Sequence, residues 1–327
     1  MGAVRFLSGV VDGLRVRVAA ATHGLFAHGP PPLADTLSYP GDPGLFGPDS
    51  VTWPVIGDSA VFIGGIRALL VQAAYPEVAA GVSDHSRYRN DPLGRLSHTA
   101  AYVTATSFGA GPEVDQAIAM VRRRHRPVVG LSHRGEAYDA DAPELAAWVH
   151  NSLAQSFLVA YQVYGARPCS AEDADCYARE QARLGAMHHA APLPETAAAL
   201  AAWIEDHPRL GPSPGQREAI EFLRRPPLSW PVRIAYGFLF RAAVATLPPR
   251  IREIIGVRAW PGAVVTGRLV THVLRFTLGA SPSWRLALAR VGSPEPAGVT
   301  FRQPLPPEAR ALRAAPGAGT SAPSPTP

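Results

Sequence analysis

Eleven histidines and 31 basic residues, every one of them arginine, carry the chemistry that this 327-residue chain offers. The absence of lysine excludes a Schiff-base lysine, a lysine general base and a phosphate-loop lysine. No HExxH, GxSxG, strand-borne GxGxxG or phosphate-loop signature occurs either. What remains is imidazole and guanidinium set into otherwise apolar helix faces. Those groups suit one-nitrogen metal ligation, hydrogen bonding to small polar ligands, or pairing with carboxylates.

Val114, Ile118, Val121 and His125 recur at helical spacing, so they share one face. His125 ends that face among Arg122, Arg123, Arg124 and Arg126, where the helix dipole favours cations. Such a histidine can bond a carbonyl through one nitrogen and offer the other to iron. The same pattern describes a core histidine beside a solvated arginine cluster. His150 shares a face with Leu153, Phe157 and Tyr161; it reads as a backbone-bonded core histidine or as a pocket residue. Arg95, His98, Thr99 and Tyr102 form a polar stripe. That stripe can pair with a carboxylate and hold a diatomic molecule or water, or serve as a capping and surface network. Asp84, His85, Ser86, Arg87 and Arg89 form a polar lip just upstream. His188 and His189 read as surface, and His207 has no evident partner.

The elements that must position these groups read as helices. Hydrophobic residues make up 47% of the chain and charged ones 17%, which argues against disorder and for a packed core. Residues 24–57 are rich in Gly and Pro and read as an extended entry segment. A buried helix is expected from Asp58 to Val82 with a kink at Pro76; its Gly64-Gly65 pair would admit a helix or a flat ligand. Asp91-Pro92 starts a helix to Phe108, and Pro112 one that stops before Pro127. Pro143 opens a helix to Tyr164, and Ser170 caps the next. Residues 131–143 read as a loop or short hairpin, and further helices follow to about 278. The expected fold is all-α, a single globular helical domain. The expected divisions are an extended N-terminal segment 1–40, a catalytic domain 41–290 and a disordered Pro/Ala-rich tail 291–327.

The net charge is +5, which permits anionic partners. The arginines scatter along the sequence and no recognition-helix motif is present, so no nucleic-acid partner is expected. Cys169 and Cys176 form neither a CxxC pair nor a zinc site, which fits a reducing, cytoplasmic setting. No charge-free apolar window of about 20 residues occurs, so no spanning helix is expected; peripheral membrane contact stays open.

Several stretches together resemble the rubber-oxygenase catalytic-domain family, the mpaB-like and latex-clearing-protein-like oxygenases. They are GDPGLFGPDSVTWPV (41–55), GGIRALLVQAAYPEVAAGVSDHSRYRNDPLGRLSHTAAYVTATSFG (64–109), RRRHRPVVG (122–130), ELAAWVHNSLAQSFLVAYQVYG (144–165) and FLRRPPL (222–228). The resemblance is colinear over about 40–290. It implies a globin-like helical core holding haem b, with its iron, and dioxygen chemistry on a hydrophobic small molecule, isoprenoid double bonds being the family's best-known target. It implies His125 as the proximal iron ligand and Arg95 and Thr99 as the distal-side pair; Arg122 and His150, from their helix faces, are the further candidate cofactor-binding residues. His98 stands where members often carry Lys or Arg, and would be a further iron ligand or a water partner. Tyr75 stands where many carry His before Pro76. The alternative implied by these departures is a haem-free or silent member that binds apolar ligands. The substrate pocket is expected between the 61–74 helix and Phe157 and Tyr161.

Overall fold

Residues 2–28, 31–86, 89–295 and 301–309 are described by the computed structural model. The architecture is helix on helix. In chain order the helices are α1 (Gly2–Phe26), α2 (Thr52–Gly57), α3 (Val61–Gln72), α4 (Pro76–His85), α5 (Pro92–Phe108) and α6 (Gly111–His125). A two-stranded antiparallel hairpin follows, β1 (Val129–Leu131) with β2 (Ala137–Asp139), Gly130 opposite Tyr138. Then come α7 (Pro143–Tyr164), α8 (Ala171–Met187), α9 (Ala197–Glu205), α10 (Pro214–Arg224), α11 (Trp230–Ala245), α12 (Pro249–Ile254), α13 (Ala263–Leu278) and α14 (Pro282–Arg290).

Helix starts follow the sequence chemistry. The Asp91 carboxylate accepts from Gly94 N at 2.9 Å, with Pro92 in the first turn of α5. Ser170 and Asp173 exchange side-chain-to-backbone bonds at 3.0 and 3.2 Å, a reciprocal cap on α8. Ser213 and Gln216 do the same for α10. Each satisfies amide groups that a helix leaves without partners.

The centre is α3 laid along α7. A Cβ on Gly64 would meet the Phe157 ring at 2.7 Å and its Cα at 3.1 Å. The Gly64 face therefore admits a helix, and the substrate pocket expected between α3 and Phe157 is closed by direct packing. Arg67, next on α3, is fully buried and donates to Gln155 Oε1 (2.5 Å) and Ser156 Oγ (2.8 Å) of α7 and to the Thr246 carbonyl. Desolvation pulls its pKa down to about 9; it stays charged at neutral pH because neutral oxygens solvate it. Outside this pair, α11 lies on α3, α13 on α11 and α7, and α1 on α13 and α5. On the other side α7, α8 and α9 pack together, and α5 pairs with α6.

Four expectations need correction. The N-terminal segment is not extended throughout, because Gly2–Phe26 is helical. The single helix expected over 58–82 is two, α3 and α4, bent by 104°; Pro76 lacks the amide that would continue the first helix and opens the second. Residues 282–290 add α14, capped by Ser281 on Trp284 N. The tail expected to be disordered from 291 is packed in part: Leu305 and Ala309 are buried, and Arg285 donates to the Gln303 carbonyl. The remaining tail residues lie outside the described ones. Among the described residues no single helix is long and apolar enough to cross a membrane. The bent pair α3–α4 passes by composition, yet both supply side chains to the buried core.

Candidate functional site

The stripe of α6 does face inward. Val114 and Ile118 are buried against Leu184 of α8, with Met187 packed beside them. Two turns on from Ile118, His125 ends the helix and is only partly accessible. Desolvation holds its pKa below the usual histidine value, opposed by the Asp141 carboxylate. The ring is therefore neutral at pH 7. Among the described residues neither of its nitrogens has a hydrogen-bond partner; the expected bond from one nitrogen to a carbonyl is not formed. Arg122 turns toward Asp141, Nε to Oδ1 3.9 Å.

Opposite His125 stands a histidine that the sequence reading placed on the surface. His188 caps the C-terminus of α8 and is partly buried. Its Nε2 lies 2.7 Å from the Tyr102 hydroxyl of α5. Its pKa is pushed down to about 4, first by desolvation, then by the neighbouring His150, His125 and Arg122. The Tyr102 hydroxyl and Nε2 share one hydrogen bond, whose donor is set by the tautomer of the neutral ring. The sequence held the signal: Tyr177, Gln181, Leu184 and His188 recur at helical spacing, and the first three are buried. The terminal position of His188 hid it, since helix ends are usually solvated.

His150 is buried, as its face predicted. Its Nε2 donates to the Gln181 carbonyl at 2.7 Å, and burial lowers its pKa to about 4. Gly185 lets α8 approach, because a Cβ there would meet His150 Cδ2 at 2.8 Å. Of its two readings, the backbone-bonded core histidine is the one formed, and only Nδ1 is left for any other partner.

Through Tyr102 the polar stripe of α5 is tied to His188. Arg95 donates to Ser86 Oγ at 2.8 Å, tying the stripe to the lip at the end of α4. Thr99 donates to the Arg95 carbonyl at 3.1 Å, so its oxygen keeps its lone pairs toward the stripe. His98 is exposed. The neighbouring face of α5 goes elsewhere: Ser97 bonds the Leu25 carbonyl, at the end of α1. The α5–α6 turn is short, so the two helices form a hairpin. It brings the start of α5 and the end of α6 to one end of the pair.

Tyr75 and His207 build a different cluster. The Tyr75 hydroxyl donates to Glu144 Oε1 at 3.0 Å. The His207 ring lies 5.2, 5.0 and 4.9 Å from the rings of Tyr75, Trp148 and Trp203. Glu77 is fully buried, bonded to Arg134 at 2.7 Å with Arg209 at 3.6 Å. An apolar recess of about 320 Å³ opens beside His207, lined by Trp203, Pro192 and Pro208. It is remote in sequence from the α5–α6 hairpin and carries none of the stripe residues.

Among the described residues no three His, Cys, Asp or Glu side chains converge as metal ligands. A metal held at His125 must therefore bring most of its ligands with it, as a porphyrin does. A neutral imidazole with no hydrogen-bond partner, at the lip of a helical hairpin, fits that demand in donor type and protonation.

An all-helical domain with a histidine–arginine–tyrosine site between its helices defines the class. Residues 53–277 match the family model described as ER-bound oxygenase mpaB/B'/Rubber oxygenase, catalytic domain, and the chain belongs to that family. It is thus an oxidoreductase domain of oxygenase type. No curated protein and no solved structure matches the chain.

Proposed function

We propose that the protein is a haem b oxygenase that uses dioxygen on a hydrophobic, isoprenoid-like substrate, with His125 as the iron ligand. The observation that carries this reading is the neutral imidazole of His125 at the end of the inward face of α6, hydrogen-bonded to none of the described residues, with His188 nearby bonded to Tyr102 of the α5 stripe. Haem b supplies the redox chemistry with dioxygen when bound. Every other task falls to the chain. Burial keeps His125 deprotonated, so a lone pair is available at pH 7. Arg95, held by Ser86, offers guanidinium hydrogens to a carboxylate of the cofactor or to dioxygen. Thr99, its proton committed to the backbone, acts as an acceptor. Burial first, then His150, His125 and Arg122, keeps His188 neutral while Tyr102 holds its ring in place, so no second cation stands near His125. Val121 and Met187, partly buried near His125, give an apolar molecule surface to lie against. His98 places a second imidazole on the stripe; a ferric spectrum that is purely high-spin at neutral pH would remove it as an iron ligand.

The test is oxygen incorporation. The haem-loaded protein, given an isoprenoid oligomer and isotopically labelled dioxygen, is expected to yield labelled carbonyl or hydroxyl products. Arg95→Ala and Thr99→Val are expected to cut the rate about 100-fold and about 10-fold. Product free of label, or equal rates in both variants, would overturn the reading.

A further inference from the structure

The outer layer made by α11 and α13 is apolar on the wrong side. On α13, Ala263, Gly267 and Thr271 are buried inward; a Cβ on Gly267 would meet Ala242 of α11 and Tyr164 of α7 at 2.7 Å. Val265 (70% exposed), Leu269 (63%), Val273 and Phe276 run along the opposite face. On α11, Trp230 (68%) and Ile234 begin an outward line that continues through Gly237 to the exposed Arg241. Arg241 stacks over Phe238 and over Trp260, 5.5 Å from the latter ring. Both helices turn their inner sides to α3 and α7, so the two outward lines belong to one face. Arg15 of α1 bounds it at Phe276.

The charge of this layer is as unusual as its apolarity. Residues 230–278 contain seven arginines and one acid, Glu253. That exceeds the net +5 of the whole chain, and the rest of the molecule has one more acid than base. Of these arginines, Arg275 pairs with Asp58 and Arg250 and Arg268 bond carbonyls of neighbouring elements, while Arg233, Arg241 and Arg258 are exposed beside the apolar lines. Tryptophans at the ends, aliphatic side chains between them and cations around them match the chemistry of an anionic lipid interface. A second copy of the chain fits poorly, because a two-fold pairing would set these arginines against their own images. Nucleic acid has no use for the aliphatic line.

We propose that the outer face of α11 and α13 docks the domain on an anionic bilayer surface. Val265, Leu269 and Val273 enter the headgroup–acyl boundary, Trp230 and Trp260 lie at headgroup level, and Arg233, Arg241 and Arg258 meet lipid phosphates. The inference is independent of the cofactor at His125. The experiment is co-sedimentation of the full chain with vesicles of phosphatidylcholine alone, or with one third phosphatidylglycerol, at low and high salt. Binding to the anionic vesicles is expected, weakened by salt. Val265→Asp with Leu269→Asp is expected to lower the partition coefficient roughly tenfold or more. Arg233→Gln, Arg241→Gln and Arg258→Gln together are expected to lower it roughly 100-fold at low salt and to remove the salt dependence. Leu131→Asp, at an equally exposed leucine in β1, should bind as the parent does. No sedimentation with anionic vesicles at low salt, or unchanged binding by either combined variant, overturns the proposal. So does a parent chain that runs as a dimer and becomes monomeric on the paired aspartate substitution, which would assign the face to a second copy.

Discussion

His207 and His125 are both imidazoles drawn out of bulk water, and their surroundings differ in every other respect. His207 is enclosed by three aromatic rings, accepts from Arg209 N at 3.4 Å through Nδ1 and faces Glu144 at 4.0 Å. Around it Tyr75, Glu144, Glu77, Arg134 and Arg209 satisfy one another. His125 ends the face that carries Ile118 and Val121, has the Asp141 carboxylate in its field, and has no hydrogen-bond partner for its ring nitrogens among the described residues. The paired, aromatic-walled cluster at His207 is architecture; the half-buried ring of His125, with its nitrogens open to a ligand, is the candidate site.

Acidification should break the site region first. His150 and His188 have folded pKa values of about 4 against an ordinary 6.5. Above pH 6.5 both rings are neutral in the folded and unfolded chain, and stability is complete. Between 6.5 and 4 the unfolded chain takes up protons that the folded chain refuses, so stability falls as pH falls. By pH 5 the loss is on the order of 4 kcal/mol, read from urea unfolding at pH 7.5 and 5. A His150→Gln, His188→Gln double variant should flatten this dependence.

The aromatic cluster should break through its contacts. His207→Ala empties the space between three rings and is expected to cost about 3 kcal/mol. Arg134→Ala leaves Glu77 buried with only the longer Arg209 contact, and is expected to cost about 2–3 kcal/mol. Gly185→Ala pushes a methyl group into His150 and Leu193 and is expected to cost about 2 kcal/mol. Tyr102→Phe removes one hydrogen bond, about 1 kcal/mol. His125→Ala closes the series: with no partner to lose, the cofactor-free chain should change by less than about 1 kcal/mol. Denaturant midpoints at constant m-value order all five.

Much of this was legible where local chemistry decides. Pro92, Pro143 and Ser170 mark their helix starts because a missing amide or a capping oxygen acts within one turn. The inward faces of α6 and α7 were legible because their spacing spans several turns. Three things were not. Helix α1 carries Val4, Val10, Val11, Val16 and Val18, poor helix formers, along with Gly9 and Gly13 in its interior; its packing on α13 and α5 overrides that propensity. His207 shows no pattern because its partners come from the α3–α4 junction, α7 and α9, far apart in sequence. The basic face of α11 and α13 is invisible while its arginines are counted along the chain, and becomes evident once two helices stack in one layer.

The central claim is that His125 holds the cofactor. Titrating haem b into the purified cofactor-free chain, alongside His125→Ala and His150→Ala, tests it most directly. The parent and His150→Ala are expected to bind haem in equal proportion with a sharp Soret band, while His125→Ala gives the broad absorption of unligated haem. A full Soret band and stoichiometric haem in His125→Ala would contradict the account.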